Sequence, residues 1–373
     1  MSMTRRDLIR TSLLGGAAVV AGPSAAATGG CERKAQTALD VLVLGGTGFI
    51  GPHMVRELLR RGHTVTLFNR GKTNDELFRD LETIHGDRDG GLGGLKGRRW
   101  DAVIDNSGYV PRLVADSARL LANNIGQYVY ISTVAVYADF SKPIDEDSPL
   151  AKIEDERIEE VNGKTYGPLK ALCEQRAREE IGDERLTILR PIYICGPGDS
   201  TDRFTYWVVR TAQGGDMLWP GEPGDPLQII DVRDLAQFTA DCVGRHTTGT
   251  FNTVNPVGAY TFGDLFEYSH AISGATVQPI WVNAEFIASN DVEADRGLPL
   301  WTAPGTGSDG ATRVSGARAR AAGLVNRPMR ETVRDLLAWW RTLPPERTAH
   351  LRAGLSRERE TELLAAWLAE QAA

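Results

Sequence analysis

Residues 39–51 read LDVLVLGGTGFIG, and this stretch decides the fold. A short apolar run that ends in glycine is typical of a buried parallel strand. A helix is predicted over residues 52–61, because a proline suits its first turn and its apolar residues form one stripe. Gly45, Gly48 and Gly51 allow a sharp turn, close approach of a pyrophosphate and tight packing of the helix on the sheet. The helix N-terminus offers free N–H groups to phosphate, so the stretch predicts a dinucleotide site.

Strands and helices alternate along the chain from this point. Strands are predicted over residues 39–44, 64–68, 83–85, 100–105, 128–132 and 186–190, and helices over residues 52–61, 114–122 and 166–181. This spacing implies right-handed strand–helix–strand crossovers. We therefore expect an α/β fold, a doubly wound parallel sheet of the Rossmann type with a smaller C-terminal α/β substrate lobe.

The same pattern suggests how the chain is divided. The expected segments are a signal peptide (1–27), a linker (28–38), a dinucleotide-binding domain (39–200) and a substrate-binding lobe (201–373). In that lobe, residues 228–256 are expected to return to the main sheet through strands at 228–232 and 250–254. Helices are predicted over residues 234–243, 330–343 and 356–370.

The first 27 residues resemble an export signal. A basic start is followed by a weakly apolar stretch and by small residues at 25–27 that suit cleavage. The pair Arg5-Arg6 favours the twin-arginine (Tat) route, so we expect a periplasmic or extracellular protein whose precursor meets the Tat machinery. The alternative is an amphipathic N-terminal helix. Cys31 is a candidate for lipidation, but the leucine that usually precedes such a cysteine is missing.

Composition excludes several classes of protein. A formal net charge of −7 gives no basic face for nucleic acid. No apolar run approaches the roughly 20 residues of a membrane-spanning helix. The 6 histidines lack the spacing of metal ligands, and Cys173, Cys195 and Cys242 are expected to be buried thiols. A small-molecule substrate is the expected partner, and a homodimer is left open.

The segment YGPLK, residues 166–170, carries the second chemical feature. Tyr166 and Lys170 are four residues apart and therefore share one face of a helix. A nearby ammonium stabilises tyrosinate, so the pKa of Tyr166 is expected to fall and the phenol to serve as an acid or base. Thr133 follows the strand at 128–132 and is expected to face the crevice at the carboxyl edge of the sheet. The alternative is a surface tyrosine beside a lysine.

Together these features resemble the extended short-chain dehydrogenase/reductase (SDR) superfamily, in its epimerase/dehydratase branch. The resemblance extends from about residue 39 to residue 343. The motifs that carry it are GGTGFIG (45–51), GDR (86–88), DNSG (105–108), YISTVAVY (130–137), YGPLK (166–170), LRPIYICGPG (189–198) and DVRDLA (231–236).

The resemblance implies roles for individual residues. Thr133 would orient the substrate oxygen, Tyr166 would move the proton, and Lys170 would also hold the nicotinamide ribose. Asp87 would meet the adenine, and residues 191–194 would flank the nicotinamide. The complete set of implied cofactor-binding residues is Gly45, Thr47, Gly48, Phe49, Ile50, Gly51, Asn69, Arg70, Asp87, Arg88, Asn106, Tyr166, Lys170 and Pro191.

The choice of cofactor depends on the end of the second strand. Phe68-Asn69-Arg70 lacks the acidic residue that usually binds the ribose 2′-hydroxyl of NAD. Arg70, with Lys72, is expected to meet the 2′-phosphate of NADP. The cofactor is therefore NAD(P), with NADP favoured. The alternative is an arginine stacked on adenine, with either cofactor accepted.

The expected function is an NAD(P)-dependent oxidoreductase or epimerase/dehydratase-like enzyme that acts on a secondary alcohol or ketone of a sugar or glycoside. Export would separate the protein from free nicotinamide, which favours a tightly bound cofactor that is recycled internally. Residues that clamp a nucleotide-sugar diphosphate are not recognised. Two alternatives are a simple NADP-dependent ketone reductase and a non-catalytic SDR-fold binding protein similar to chloroplast stem-loop-binding proteins. Tyr206, Trp207 and Trp219 either line an apolar substrate site or belong to the core.

Overall fold

The computed structural model describes residues 37–292 and 297–372. The predicted signal peptide, the candidate lipidation at Cys31 and most of the predicted linker lie outside these residues and stay predictions. The division of the chain at residue 200 also stays a prediction.

Seven strands form one parallel sheet, which confirms the predicted fold class. The strands are β1 (Asp40–Leu44), β2 (Thr64–Asn69), β3 (Thr83–His85), β4 (Trp100–Asp105), β5 (Ile125–Ile131), β6 (Leu186–Pro191) and β11 (Gly249–Thr253). Their spatial order is β11-β6-β5-β4-β1-β2-β3, and all neighbouring pairs are parallel. The order reverses between β1 and β4, and ligands of open α/β sheets bind at the carboxyl ends of the strands at such a point.

Shorter strands and the helices complete the fold. The remaining strands are β7 (Ile194–Cys195), β8 (Gly215–Pro220), β9 (Pro226–Leu227), β10 (Ile230–Asp231), β12 (Tyr260–Thr261) and β13 (Val277–Val282). The helices of the described residues are α1 (Gly51–Arg60), α2 (Pro111–Leu121), α3 (Tyr166–Ile181), α4 (Arg203–Ala212), α5 (Val232–Arg245), α6 (Phe262–Ser273), α7 (Ala284–Ser289), α8 (Ala317–Ala321), α9 (Met329–Trp340), α10 (Pro345–Thr348) and α11 (Arg357–Gln371). None of them is long and apolar enough to cross a membrane.

The central strand β1 is buried on both faces of the sheet. Successive side chains of a strand point to opposite faces. Val41 and Val43 accordingly pack with apolar residues of α1 and α5, whereas Leu42 and Leu44 pack with residues of α2 and α3. All four side chains are fully buried. The apolar run recognised in the sequence is thus explained by helices on both sides of the sheet.

Two predicted elements differ from the structure. Helix α2 begins at Pro111 instead of residue 114, because proline fits the first turn, where its missing N–H is not needed. The strand predicted at 228–232 does not join the main sheet: only β10 forms, and it pairs with β7. Asp231 ends it by accepting a hydrogen bond from the backbone N–H of Arg233 as the N-cap of α5. The return to the main sheet is made by β11 beside β6.

The C-terminal part of the chain has an aromatic core. The rings of Trp207 and Trp219 lie 4.7 Å apart between centroids, and both side chains are fully buried with Tyr206. These aromatic residues therefore belong to the core and do not line a substrate site. The thiols of Cys173, Cys195 and Cys242 are buried and unpaired, as predicted.

A buried ion pair connects three elements beneath the carboxyl edge of the sheet. Glu174 of α3 accepts hydrogen bonds from Arg190 of β6, Nε to Oε1 at 2.9 Å and Nη2 to Oε2 at 2.6 Å. Ser132, directly after β5, donates from Oγ to Oε1 at 2.5 Å. The exposed fractions of the Glu174 and Arg190 side chains are 1% and 3%. This pair fixes α3 against the end of β5.

Replacement of Glu174 by glutamine should destabilise the fold strongly. Glu174→Gln keeps the side-chain shape but leaves the buried Arg190 charge without a counter-ion, a loss of about 3–5 kcal/mol. Glu180→Gln is the matched control, because Glu180 lies on the same helix and pairs with the exposed Arg119. Its loss should stay below about 1 kcal/mol. Urea unfolding measures both, and equal losses would contradict the role given to the buried pair.

Candidate active site

The three glycines that are predicted to form the dinucleotide turn, Gly45, Gly48 and Gly51, have different surroundings. Gly45 has φ +91, and a Cβ on it would lie 2.7 Å from Oδ1 of Asn106. A Cβ on Gly51 would lie 2.6 Å from the backbone of Gly46. A Cβ on Gly48 would meet no atom within 4 Å. The fold thus requires the first and third glycines, while the second lies beside open space.

That open space is a cavity of about 640 Å³ at the switch point of the sheet. It is lined by the glycine turn and by the ends of β2, β3 and β4. Of the residues implied to bind cofactor, those lining it are Gly45, Thr47, Gly48, Phe49, Ile50, Gly51, Asn69, Arg70, Asp87, Arg88, Asn106 and Tyr166. The cavity begins at the N-terminus of α1, where backbone N–H groups favour phosphate. The residues present fit a dinucleotide, because Gly48 leaves room for close backbone approach.

The polar residues that line this cavity after β2 and β3 differ in whether they already have a hydrogen-bond partner in the protein. Arg70 and Lys72 are exposed, and neither has a hydrogen-bond or ion-pair partner among the described residues. Asn69 accepts a hydrogen bond from the N–H of Gly71 at 2.8 Å, and Asp87 accepts one from the N–H of Asp89 at 3.1 Å. The two cations are therefore free for an anionic group.

Arg88 is engaged within the protein. Its Nη1 and Nη2 donate to the two carboxylate oxygens of Asp105 at 2.6 and 2.7 Å, and Nη2 also donates to Ser117 at 2.6 Å. The guanidinium charge outweighs burial and holds the pKa of Asp105 below its ordinary value. Arg88 borders the cavity, but its charge is already balanced by Asp105. A direct role in cofactor binding stays a prediction.

A second cavity of about 630 Å³ continues from the first. Thr133, Tyr166, Lys170 and Pro191 line it, so the implied catalytic residues come together. The residues that border both cavities are Ile50, Asn106, Tyr109, Tyr166, Ile194 and Arg203. A molecule in one cavity can therefore reach a molecule in the other.

Lys170 is held beneath the second cavity. Its Nζ donates to the carbonyls of Gly108 and Ile131 at 2.8 and 2.7 Å, and lies 4.2 Å from the ring centroid of Tyr130. Burial lowers the pKa of Lys170 to about 8, although nearby negative groups, such as Asp105, oppose the shift. The amine is thus fixed by backbone carbonyls at the end of β5 and in the loop after β4.

The expected fall in the pKa of Tyr166 was wrong for this structure. Burial raises the pKa of Tyr166, while hydrogen bonding with Thr133 and the positive charge of Arg203 oppose that shift. The Lys170 amine donates instead to the carbonyls of Gly108 and Ile131, and it is not among the groups that shift the pKa of Tyr166. The protonated phenol is consequently favoured, which is the form that donates a proton. Thr133 also accepts a hydrogen bond from the N–H of Ala135 at 3.2 Å, which orients its hydroxyl.

Two residues of the site were missed at the sequence level. Tyr109 borders both cavities, and its ring lies 6.4 Å from that of Tyr166 and 5.3 Å from Nζ of Lys170. Its place directly after the DNSG segment was the available signal. Arg203 borders both cavities as well, but no sequence motif marked it.

The fold and this arrangement define a Rossmann-type protein with the architecture of the extended SDR enzymes. Residues 41–92 match the model of the NAD dependent epimerase/dehydratase family. The UDP-glucuronic acid 4-epimerase of Bacillus cereus, solved in complex with NAD, has the same fold with a TM-score of 0.57 and 16% identity. That comparison covers 80% of this chain and 98% of the epimerase chain. The family model thus matches the N-terminal part of the described chain, and the solved structure shows a shared fold.

Curated relatives match parts of the chain. The chloroplast stem-loop binding protein of 41 kDa b from Arabidopsis thaliana is 26% identical over 235 residues, 57% of either chain. The 2-alkyl-3-oxoalkanoate reductase of Stenotrophomonas maltophilia (strain K279a) is 30% identical over 227 residues, 54% of this chain and 65% of the reductase. The matched regions thus span less than two thirds of each relative.

Alanine at two of the glycines should separate ligand binding from folding. Gly48→Ala adds a methyl group beside the cavity without a clash in the protein, so nucleotide affinity should fall at least about tenfold with little change in stability. Gly51→Ala is the matched variant and should destabilise the fold by about 1–3 kcal/mol, because its methyl group meets the turn backbone. Calorimetric titration with NAD and NADP and thermal unfolding measure the two effects. Unchanged affinity in Gly48→Ala would contradict a dinucleotide at this turn.

Proposed function

We propose that this protein is an NAD(P)-dependent enzyme of the epimerase/dehydratase type that acts on a secondary alcohol or ketone. One observation carries the proposal: Tyr166 borders both the dinucleotide cavity and the cavity beside it, where Thr133 and Lys170 also lie. A bound nicotinamide would supply hydride acceptance and donation at that junction. The side chains supply what such chemistry needs in addition, a positioned proton donor and acceptor.

In the proposed mechanism Tyr166 exchanges the proton of the substrate oxygen. When an alcohol is oxidised, its hydroxyl proton passes to the phenolate of Tyr166; when a ketone is reduced, the phenol gives the proton back. Thr133 holds the same substrate oxygen by a hydrogen bond. Lys170 stabilises the phenolate when that form is needed, and it binds the ribose.

The proposed substrate is a sugar or glycoside, and the nicotinamide stays bound through the reaction cycle. Epimerisation and dehydration through a transient ketone return the hydride to the substrate, so they consume no external cofactor. Such a closed cycle suits a protein exported by the Tat route, as Arg5-Arg6 predict. The sugar epimerase of the same fold is consistent with this reading.

A simple ketone reductase is the second candidate. The relative from Stenotrophomonas maltophilia is named for the reduction of a 3-oxoalkanoate, and it is 30% identical to this chain over 227 residues. Free Arg70 and Lys72 favour NADP, the usual cofactor of reductive steps.

The stem-loop-binding relative suggests a binding protein instead, but the net charge of −7 does not favour RNA.

Tyr166→Phe tests the proposed function. The variant keeps the ring and its packing but removes the proton path, so turnover should fall about 10²–10⁴-fold while nucleotide affinity is retained. Lys170→Ala should lower both turnover and nucleotide affinity, and Thr133→Val should lower turnover alone. Turnover is followed by nicotinamide absorbance with a panel of ketones and by sugar epimerisation. Wild-type turnover in Tyr166→Phe would refute the mechanism.

Arg70→Ala tests the proposed preference for NADP. The loss of a charged hydrogen bond to the 2′-phosphate should weaken NADP binding by about 1.5–3 kcal/mol and leave NAD binding nearly unchanged. The control is Arg79→Ala, because Arg79 is also exposed but does not border the cavity. Titration calorimetry with both nucleotides gives the comparison. Equal losses would favour an arginine stacked on the adenine.

A further inference from the structure

Arg203, the first residue of α4, brings a positive charge to the junction of the two cavities. It borders both of them together with Tyr166. Its side chain is half-buried and lies over the ring of Tyr193, with 5.2 Å from the guanidinium carbon to the ring centroid. Its Nε donates to Oγ1 of Thr201 at 3.3 Å. Thr201 thus holds the guanidinium at Nε, and the ring of Tyr193 covers one of its planar faces.

The loop before Arg203 is held by buried carboxylates. Asp202 is fully buried with φ +60, and it accepts hydrogen bonds from Arg347 and from the N–H of Arg352 at 2.9 Å. Asp199 accepts from both the N–H and Oγ1 of Thr201, at 2.8 and 2.7 Å. A left-handed conformation at a residue other than glycine persists only where its surroundings fix it. The position of Arg203 is therefore set by the fold.

Nothing in the described residues neutralises this guanidinium directly. Arg203 forms no ion pair there, and its two terminal nitrogens have no partner. Asp199 is an acidic group close enough to interact with the charge of Arg203, but it forms no ion pair with the guanidinium, and its carboxylate accepts hydrogen bonds from Thr201 and Thr205. Among the described residues that line the second cavity, none is acidic, and Lys170 is its other cation. A half-buried guanidinium whose terminal nitrogens lack an ion-pair partner is incompletely compensated, so the arrangement favours an anion supplied by a ligand.

We propose that the substrate carries an anionic oxygen group, a carboxylate or a phosphate, which the terminal nitrogens of Arg203 bind next to the reacting carbon. This inference rests on the proposed function, because Tyr166 marks where the reacting carbon lies. A guanidinium presents two parallel donors to such a group, and its charge strengthens both hydrogen bonds. Since Tyr166 and Arg203 border the same junction, the anionic group and the carbonyl belong to one small part of the substrate.

The test uses small ketones with and without a negative charge. The full-length protein is saturated with the oxidised form of whichever nucleotide binds more tightly, so that a ketone cannot be reduced. Acetoacetate supplies a carboxylate, and dihydroxyacetone phosphate supplies a phosphate. Methyl acetoacetate is the uncharged counterpart of acetoacetate. Each is titrated by calorimetry into the wild type, Arg203→Met and Arg203→Lys.

We expect the wild type to bind at least one anionic ketone about 10- to 100-fold more tightly than methyl acetoacetate. Arg203→Met should lose that preference with little change in nucleotide affinity, and Arg203→Lys should keep part of it. If acetoacetate binds more tightly than dihydroxyacetone phosphate, the anionic group is a carboxylate; if it binds more weakly, the group is a phosphate.

Several results would overturn the inference. The first is equal binding of charged and neutral ketones by the wild type, and the second is an unchanged preference in Arg203→Met. Failure of both anionic ketones to bind would also contradict it. Loss of nucleotide affinity alone in Arg203→Met would assign the guanidinium to the cofactor phosphates. These results are distinct from those that would refute the proposed function. The proposed function fails if the protein binds no nucleotide or if Tyr166→Phe keeps full turnover.

Discussion

The buried ion pair between Glu174 and Arg190 is the interaction on which the geometry of the site depends. It joins α3, which carries Tyr166 and Lys170, to β6 and to the end of β5 beside Thr133. Arg190 Nη1 also donates to the hydroxyl of Tyr137 at 2.9 Å, and that hydroxyl donates to Asn252 of β11 at 2.6 Å. A buried pair of this kind contributes little net stability compared with apolar residues, but it tolerates no misplaced partner. Its effect here is to fix the register of α3 against the edge of the sheet where the ligand cavities open.

The parts of the fold that could be predicted from sequence are those specified locally. The strand, glycine turn and helix at 39–51 carry their pattern within a few residues, and the glycine contacts explain why the pattern is so restrictive. The pairing of the short strands β7 and β10 could not be predicted, because it joins segments far apart in sequence and involves two residues of each strand. The same holds for β8 and β13, whose partners are about 60 residues apart. Local periodicity contains no information on such pairs.

The site shows the same limit at the level of single side chains. Spacing correctly brought Tyr166 and Lys170 to one cavity, but it could not show that the carbonyls of Gly108 and Ile131 compete for the lysine amine. Arg203 was missed for a related reason. Its importance comes from the absence of an ion pair with any of the described residues around it, and such a property exists only after folding. Burial and charge balance, rather than residue type, distinguish Arg203 from the paired Arg88.

The two contacts of Lys170 also limit how it can serve Tyr166. An ammonium has three N–H donors, and the carbonyls of Gly108 and Ile131 accept two of them. One donor is left, so the ribose and the phenolate that the proposed mechanism requires would share it. With a pKa of about 8, Lys170 is already mainly the ammonium at neutral pH, and an added negative charge nearby would raise that pKa further. Formation of the phenolate would supply that charge, so the cation that stabilises Tyr166 is strengthened by the reaction step that needs it.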